Sequence, residues 1–166
     1  MDQVYNSAIL MMSQYFPAVM YVLALLIATI IVSARRHRPI RRHNINTFIA
    51  YIMLLAIGFS GIWGFVFHIL LIKINHFHYE LAVASLAFGI TGIFAFQASH
   101  GYRIATTLMI TIFLWAAALQ QIYTGIHKSN LFAVFMDASY YYNIITPTTL
   151  IMLLNMHRRS KNNVFS

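Results

Sequence analysis

The sequence predicts an all-α protein, a polytopic bundle of about five transmembrane helices with the N-terminus outside and the C-terminus in the cytoplasm. The 166 residues are 60% hydrophobic and 8% charged, far below the roughly 25% charged residues of a soluble domain. The apolar residues form continuous runs, which favour helices over the alternating pattern of transmembrane strands. Lys and Arg residues lie at alternate ends of these runs, as in membrane proteins with a defined orientation.

The apolar runs define the predicted spans, because a span needs about 20 mostly apolar residues. Pro17 lies near the start of the first run, where a missing backbone donor costs least, and the basic segment 35–43 ends that run. Asn44 and Asn46 provide N-cap side chains for the second span. A polar link, residues 73–79, leads to the third span. The predicted spans of the single domain, residues 1–166, cover residues 7–34, 47–72, 80–98, 104–124 and 131–156.

The later spans are separated by short polar segments. Residues 99–103 predict a tight turn with a left-handed backbone at Gly101. The fifth span is the least apolar and contains Asp137, Pro147 and three consecutive tyrosines at positions 140–142. Because three consecutive residues cover about 300° of a helix, we expect at least one tyrosine to point into the bundle.

The distribution of basic residues predicts the orientation. Two of them, Lys73 and Lys128, fall on one side of the membrane, and the other side should be cytoplasmic because it holds nine. Those nine are Arg35, Arg36, Arg38, Arg41, Arg42, Arg103, Arg158, Arg159 and Lys161. We expect the first five to lie at the cytoplasmic lipid surface, as a topology determinant or as a lipid-binding site. The predicted location is the cytoplasmic membrane of a bacterium.

The composition also limits the function classes. The net charge of +8 would suggest nucleic acid binding in a soluble domain, but these cations flank apolar runs and act as topology signals, so no nucleic-acid partner is expected. The absence of cysteine excludes disulfides, thiol catalysis and iron–sulfur clusters. The expected partner is the lipid bilayer, and other membrane subunits or further copies of the chain are additional candidates.

Small residues recur on two neighbouring spans and predict close helix packing. Lipid provides little hydrophobic drive between helices, so close backbone contact contributes more to their association. The small residues are Gly58, Gly61 and Gly64 on the second span and Ser85, Gly89 and Gly92 on the third. We interpret these rows as a helix–helix contact rather than as the lining of a cavity.

Four polar residues from four different spans reach a similar depth near the outer side. At 1.5 Å rise per residue, His68, Glu80, Gln121 and Asp137 all fall close to that interface. Polar and ionisable residues within a membrane are functional candidates, so we predict that the four line one outer-facing pocket. His68 and Glu80 are chemically suitable metal ligands. The alternative is that each side chain separately reaches interfacial water.

Two segments resemble a family of small, uncharacterised, prokaryotic multi-span membrane proteins. In residues 58–93 the matching positions are Gly61, Trp63, Phe65, His68, Glu80, Ala84, Leu86 and Gly89. In residues 120–123 the family pattern has a histidine before Ile-Tyr, where this chain has Gln121. The resemblance implies that His68, Glu80 and Gln121 converge, whereas the Gln121 departure argues against a shared metal site. The resemblance implies no activity.

Three functions remain open from the sequence. The chain is interpreted first as a small membrane protein that binds a metal ion or small ligand in the predicted pocket. A structural or accessory subunit of a larger membrane complex is one alternative. A membrane enzyme or redox partner that acts on a quinone or a lipid is the other. The sequence specifies no cofactor.

Overall fold

The computed structural model describes residues 2–34, 41–70 and 76–162, and side chains within 14–34, 43–69 and 79–160. Every regular element in these ranges is helical and none is a strand, so the all-α prediction is confirmed. The elements are α1 (Asp2–Ala34), α2 (Arg41–Tyr51), a π-helical segment (Ile52–Phe59), α3 (Ser60–Leu70), α4 (His76–Ala95), α5 (His100–His127), α6 (Leu131–Met136) and α7 (Ala138–Asn162).

Within the described ranges, three helical stretches are long and apolar enough to cross a membrane. They are Gln14–Ala34, His43–Ile69 and His100–His127, and a shorter apolar stretch covers Tyr79–Ala95. Only 11% of the residues in the most apolar window of the first stretch are buried inside the protein. Large apolar side chains such as Val22, Leu26 and Ile30 therefore face outward, as expected for contact with lipid rather than water.

The described part of the second predicted span, residues 47–70, is helical, but its middle is a π-helix. The segment Ile52–Phe59 joins α2 to α3 without a break in the chain direction. Its wider turns place the carbonyl oxygen of Ala56 where the hydroxyl of Tyr142, on α7, donates a hydrogen bond to it. Nothing in the apolar sequence of this segment predicts a π-helix. Such helices are rare, and they commonly occur at functional sites.

The residues of the predicted fifth span, 131–156, belong to two helices rather than one. The chain leaves the helix at Asp137, whose backbone is extended (φ −81°, ψ 119°), so α6 and α7 are separate helices. The carboxylate of Asp137 accepts a hydrogen bond from the backbone nitrogen of Ser139 at 2.9 Å. This bond satisfies a donor at the start of α7, which explains why the break falls at an aspartate.

The prediction of a left-handed Gly101 was wrong. No glycine among the described residues has a positive φ, and Gly101 lies in the first turn of α5. The Ser99 side chain caps that helix by accepting from the backbone nitrogen of Tyr102. An N-cap serine needs no left-handed residue after it, so the turn closes without one.

The predicted contact between the two rows of small residues is confirmed. A Cβ atom on Gly61 would lie 2.5 Å from the backbone nitrogen of Gly89 and 2.6 Å from the carbonyl oxygen of Ser85. A Cβ on Gly92 would lie 2.7 Å from the backbone nitrogen of Gly58. The two backbones therefore touch along a glycine seam, formed by residues 58–64 and 85–92, that holds α3 and the π-helical segment against α4.

Cross-helix contacts show that α5 and α7 run in opposite directions. His100 and His157 lie together with ring centroids 4.6 Å apart, while Gln121 bonds Ser139 at the other end of the pair. We call the end that holds Arg103, Arg158 and Arg159 the basic end, and the end that holds His68 and Asp137 the far end.

Arg103 closes the basic end of α4. Its side chain is buried, and the guanidinium donates to the carbonyl oxygens of Ala95 at 2.8 Å and of Phe96 at 2.5 Å, and to the amide oxygen of Asn46. The last carbonyls of a helix lack partners within it and carry partial negative charge. Arg103 is therefore a helix cap as well as one of the counted cations.

Candidate functional site

A cavity of about 470 Å³ lies towards the far end, between α3, α4, α5 and α7. Its lining combines apolar side chains with hydrogen-bonding groups. The apolar lining includes Ile57, Phe67, Leu81, Phe88, Ile110, Phe113 and Leu114. The polar lining includes Ser60, Trp63, His68, Ser85, Gln121, Ser139, Tyr142 and Asn143. We refer to this space as the inner cavity.

Several polar groups of the inner cavity are fixed by hydrogen bonds to neighbouring helices. The amide nitrogen of Gln121 donates to the Ser139 hydroxyl at 2.9 Å, which joins α5 to α7. The Tyr142 hydroxyl donates to the Ala56 carbonyl and is also hydrogen-bonded with Ser60. Tyr142 thus points into the bundle while Tyr141 is exposed, which confirms the expectation that at least one of the three tyrosines faces inward.

Two buried polar atoms on the cavity wall have no hydrogen-bond partner among the described residues. They are the indole nitrogen Nε1 of Trp63 and the amide oxygen Oε1 of Gln121. The Trp63 ring is held in place by stacking on Phe16, with the ring centroids 4.8 Å apart. One atom is a donor and the other an acceptor, and leaving each unsatisfied costs about 1–3 kcal/mol. A molecule in the cavity could complete both bonds.

The structure brings two of the four predicted site residues to the inner cavity. His68, on the last turns of α3, lines it together with Gln121 of α5. The His68 ring packs edge-on against Phe67 at a centroid distance of 5.7 Å. His68 gives the inner cavity a side chain that can donate a hydrogen bond, accept one or carry a proton.

Asp137 belongs to a neighbouring pocket rather than to the inner cavity. This outer pocket has a volume of about 280 Å³ and lies between the end of α5 and α6. Lys128, Asn130 and Asp137 give it a polar rim, and Gln121 lines it as well. Gln121 therefore lines both the outer pocket and the inner cavity. The outer pocket has a charged rim, whereas the inner cavity is lined by neutral polar and apolar groups.

Glu80 lies apart from the other three predicted residues. Its side chain is exposed near the start of α4, and it is not among the described residues that line either space. Across the described residues, no group of three or more His, Asp or Glu side chains is close enough to hold a metal ion. The metal role of His68 and Glu80 therefore stays a prediction.

The predicted lipid-surface arginines fall largely outside the described part of the chain. Arg35, Arg36 and Arg38 lie in the segment between α1 and α2, outside the described residues. Arg41 and Arg42 begin α2, and their side chains are also outside the described set. Their role at a lipid surface stays a prediction.

Sequence reasoning missed most of the polar lining. Ser60, Ser139 and Asn143 are small or neutral side chains that look unremarkable in an apolar run. A helical projection of α7 could have identified Asn143, because Asn143, Thr146 and Leu150 follow at helical spacing and are all buried. Trp63 was noted only within the family resemblance.

Comparison with known proteins identifies a family but no activity. A family of unknown function (DUF6790) matches residues 14–163, and the chain belongs to that family. No curated protein and no solved structure matches the chain. The matched residues include every described residue that lines the inner cavity.

Proposed function

We propose that this chain is a multi-pass membrane protein that binds a small, uncharged molecule of mixed polar and apolar surface in the inner cavity. The observation that carries the proposal is the pair of unsatisfied buried atoms, Trp63 Nε1 and Gln121 Oε1, on the wall of one cavity. Its volume of about 470 Å³ is within the range of roughly 300–1,000 Å³ that is usual for small-molecule sites.

The lining argues for an uncharged molecule. No Asp, Glu, Lys or Arg is among the described residues that line the inner cavity. A charged ligand would lose its hydration without gaining a counter-ion, which is costly in a low-dielectric interior. Hydroxyl, amide and carbonyl groups, in contrast, could bond the donor of Trp63 and the acceptor of Gln121, while an apolar portion contacts Phe88 and Phe113.

Five spans are part of the proposal, although three helical stretches of the described part of the chain meet a simple apolar criterion. Helix α4 has 20 residues, which is about 30 Å and matches a hydrocarbon core. Helix α7 has 25 residues, and three of its polar side chains face inward: Asn143 and Thr146 are buried, and Thr149 bonds Tyr21 of α1 at 2.8 Å. Its exposed residues include Ile144, Ile145 and Met152, so its outer face suits lipid.

The proposed orientation puts the basic end in the cytoplasm of a bacterial cell and the far end outside. The nine-to-two distribution of Lys and Arg is the basis for this orientation. Because the chain has no cysteine, single-cysteine variants can test it without background. A maleimide that cannot cross membranes should label Lys128→Cys in intact cells and should label Arg159→Cys only after lysis. Labelling of both variants in intact cells would contradict the topology.

Binding in the inner cavity can be tested with a matched pair of variants on α5. Ala117 lines the cavity, whereas its neighbour Ala116 is exposed on the outside of the bundle. Ala117→Phe should fill the cavity, and Ala116→Phe adds the same side chain where lipid or detergent is expected. Any difference between the two variants therefore reports on the cavity.

A neutral alcohol that quenches tryptophan, 2,2,2-trichloroethanol, is a suitable probe. In a Trp115→Phe background the only tryptophan is Trp63, which lines the cavity. Quenching of Trp63 in detergent should be saturable with Ala116→Phe and about tenfold weaker in apparent affinity with Ala117→Phe, a difference of roughly 1.4 kcal/mol. Equal, non-saturable quenching in both variants would contradict ligand binding in this cavity.

A further inference from the structure

A groove of about 180 Å³ lies between α5 and α7, far from the inner cavity. Three polar side chains line it near the basic end, His100, Asn155 and Arg158. Apolar side chains line the remainder: Ile104, Leu108, Ile151 and Leu154. We refer to this feature as the basic groove.

The chemistry of the basic groove changes in order along the two helices. His100, Ile104 and Leu108 follow each other at four-residue spacing on α5, which puts them on one face over about 12 Å. Helix α7 runs in the opposite direction, so Arg158 lies near His100, and Ile151 lies deeper. The groove is therefore polar and basic where the helices end and apolar towards the middle of the bundle.

The polar end of the groove favours an anion. Arg158 is exposed there, and the N-terminus of the 28-residue helix α5 adds partial positive charge. Among the described residues, no carboxylate lines the groove. His157, whose ring lies 4.6 Å from that of His100, is a further basic group beside it.

An unsatisfied donor lies on the wall of the same groove. Thr107 is 1% exposed, and its hydroxyl oxygen Oγ1 is buried without a hydrogen-bond partner among the described residues. A buried hydroxyl without a partner costs stability, which an acceptor group on a bound molecule would restore. Thr107 lies about two turns beyond His100 on α5, or roughly 10 Å deeper, where an ester carbonyl below the phosphate of a glycerophospholipid could accept from it.

We propose that the basic groove binds an anionic phospholipid of the leaflet at the basic end. The phosphate lies beside Arg158 and the start of α5, and the first part of one acyl chain follows Ile104, Leu108 and Ile151. Basic pockets between membrane helices are known sites for anionic head groups. This inference rests on the proposed membrane arrangement but not on ligand binding in the inner cavity.

Native mass spectrometry of the full chain in detergent tests the head-group part of the inference. Phosphatidylglycerol and phosphatidylcholine with identical acyl chains are compared at equal concentration. We expect phosphatidylglycerol to bind more tightly, and Arg158→Gln to reduce its affinity about fivefold. Arg159→Gln removes the same charge from a neighbouring residue that does not line the groove, so it should leave the affinity unchanged.

The opposite results overturn the head-group assignment. Equal binding of the two lipids would mean that the groove does not recognise a negative head group. Equal losses of phosphatidylglycerol affinity in Arg158→Gln and Arg159→Gln would mean that the lipid is attracted to the basic end in general and does not bind a defined site.

The acyl-chain part is tested with a second pair of variants on α5. Leu108→Trp should fill the groove and reduce phosphatidylglycerol binding, whereas Leu119→Trp changes an exposed residue outside the groove and should not. Inorganic phosphate should fail to compete at equal concentration, because it has no chain to bury. Competition by phosphate, or equal binding by both variants, would show a simple anion site and overturn the lipid assignment. A failure of the topology would instead appear in cysteine labelling, and a failure of the inner cavity in Trp63 quenching.

Discussion

The glycine seam and the inner cavity adjoin one another, yet they are packed in opposite ways. At the seam, a Cβ on Gly61 would overlap the backbone of Gly89, so the helices are as close as their main chains permit. Beside the seam, where Gly61, Gly64 and Ser85 also line the inner cavity, the helices leave a space of about 470 Å³ whose wall includes an unsatisfied indole nitrogen. The seam is the part that resists change in shape, and the cavity is the part that has room to bind.

This difference indicates that the short helix α3 has two roles, close packing against α4 and placing side chains at the cavity wall. Close packing against α4 fixes the position of α3, and α3 in turn holds Trp63 and His68 at the cavity wall. A site keeps its geometry best when it is carried by rigid elements. We therefore expect substitutions in the seam to reduce stability and substitutions in the cavity to affect binding.

The largest expected effect is at the centre of the seam. Gly61→Ala should reduce the free energy of unfolding in detergent by about 3 kcal/mol, because the added carbon meets backbone atoms that cannot rotate away. Gly64→Ala is the matched control, since its Cβ would lie 3.3 Å from the movable side chain of Ser85. Similar losses in the two variants, measured by thermal unfolding, would break the distinction between backbone contact and ordinary packing.

The next largest effect concerns the end of α4 that lies beyond the seam. Arg103→Leu should cost about 2 kcal/mol of stability, because the carbonyls of Ala95 and Phe96 lose their donors. Arg159→Leu removes an exposed cation and should change the unfolding temperature little. If Arg103→Leu and Arg159→Leu reduce stability equally, Arg103 does not act as a helix cap.

A smaller effect is expected where the cavity wall meets the π-helical segment. Tyr142→Phe removes the hydroxyl that bonds the Ala56 carbonyl and should cost about 1 kcal/mol. The neighbouring Tyr141→Phe, at an exposed position, should be neutral. A loss for Tyr142→Phe as large as that for Gly61→Ala would mean that the cavity wall, too, determines stability.

The smallest effect is a gain. Gly101 lies in the first turn of α5, and nothing lies within 4 Å of a Cβ added there. Gly101→Ala should stabilise the protein by about 0.5 kcal/mol, because alanine loses less backbone entropy in a helix. A loss of stability in the same unfolding measurement would show that the turn needs glycine after all.

The sequence was informative wherever a repeating pattern reflected burial. Long apolar runs predicted the helices, and small residues at three- and four-residue spacing predicted the seam, because both features depend on which face of a helix is covered. Breaks in the helices were harder to predict from the sequence. The break between α6 and α7 falls at Asp137, which accepts one hydrogen bond from Ser139 at the start of α7. The π-helical geometry at Ile52–Phe59 depends on packing that no local pattern encodes.

The site was predicted less completely than the fold. Depth along each helix was the basis for grouping His68 with Gln121, and both line the inner cavity, but depth says nothing about the direction in which a side chain points. Glu80 has a suitable depth and is exposed, whereas Asp137 caps α7 and lines the outer pocket. Whether a side chain lines the cavity depends on how its helix is rotated about its own axis. Packing against the neighbouring helices determines that rotation.

The most direct test of the central claim is an experimental structure of the full chain in lipid nanodiscs, at a resolution that separates water from an organic molecule. Our account predicts continuous density in the inner cavity, larger than a single water, within hydrogen-bond distance of Trp63 Nε1 or Gln121 Oε1. A cavity that is collapsed, or that holds only separate waters bonded to those two atoms, would contradict the claim that this space binds a ligand.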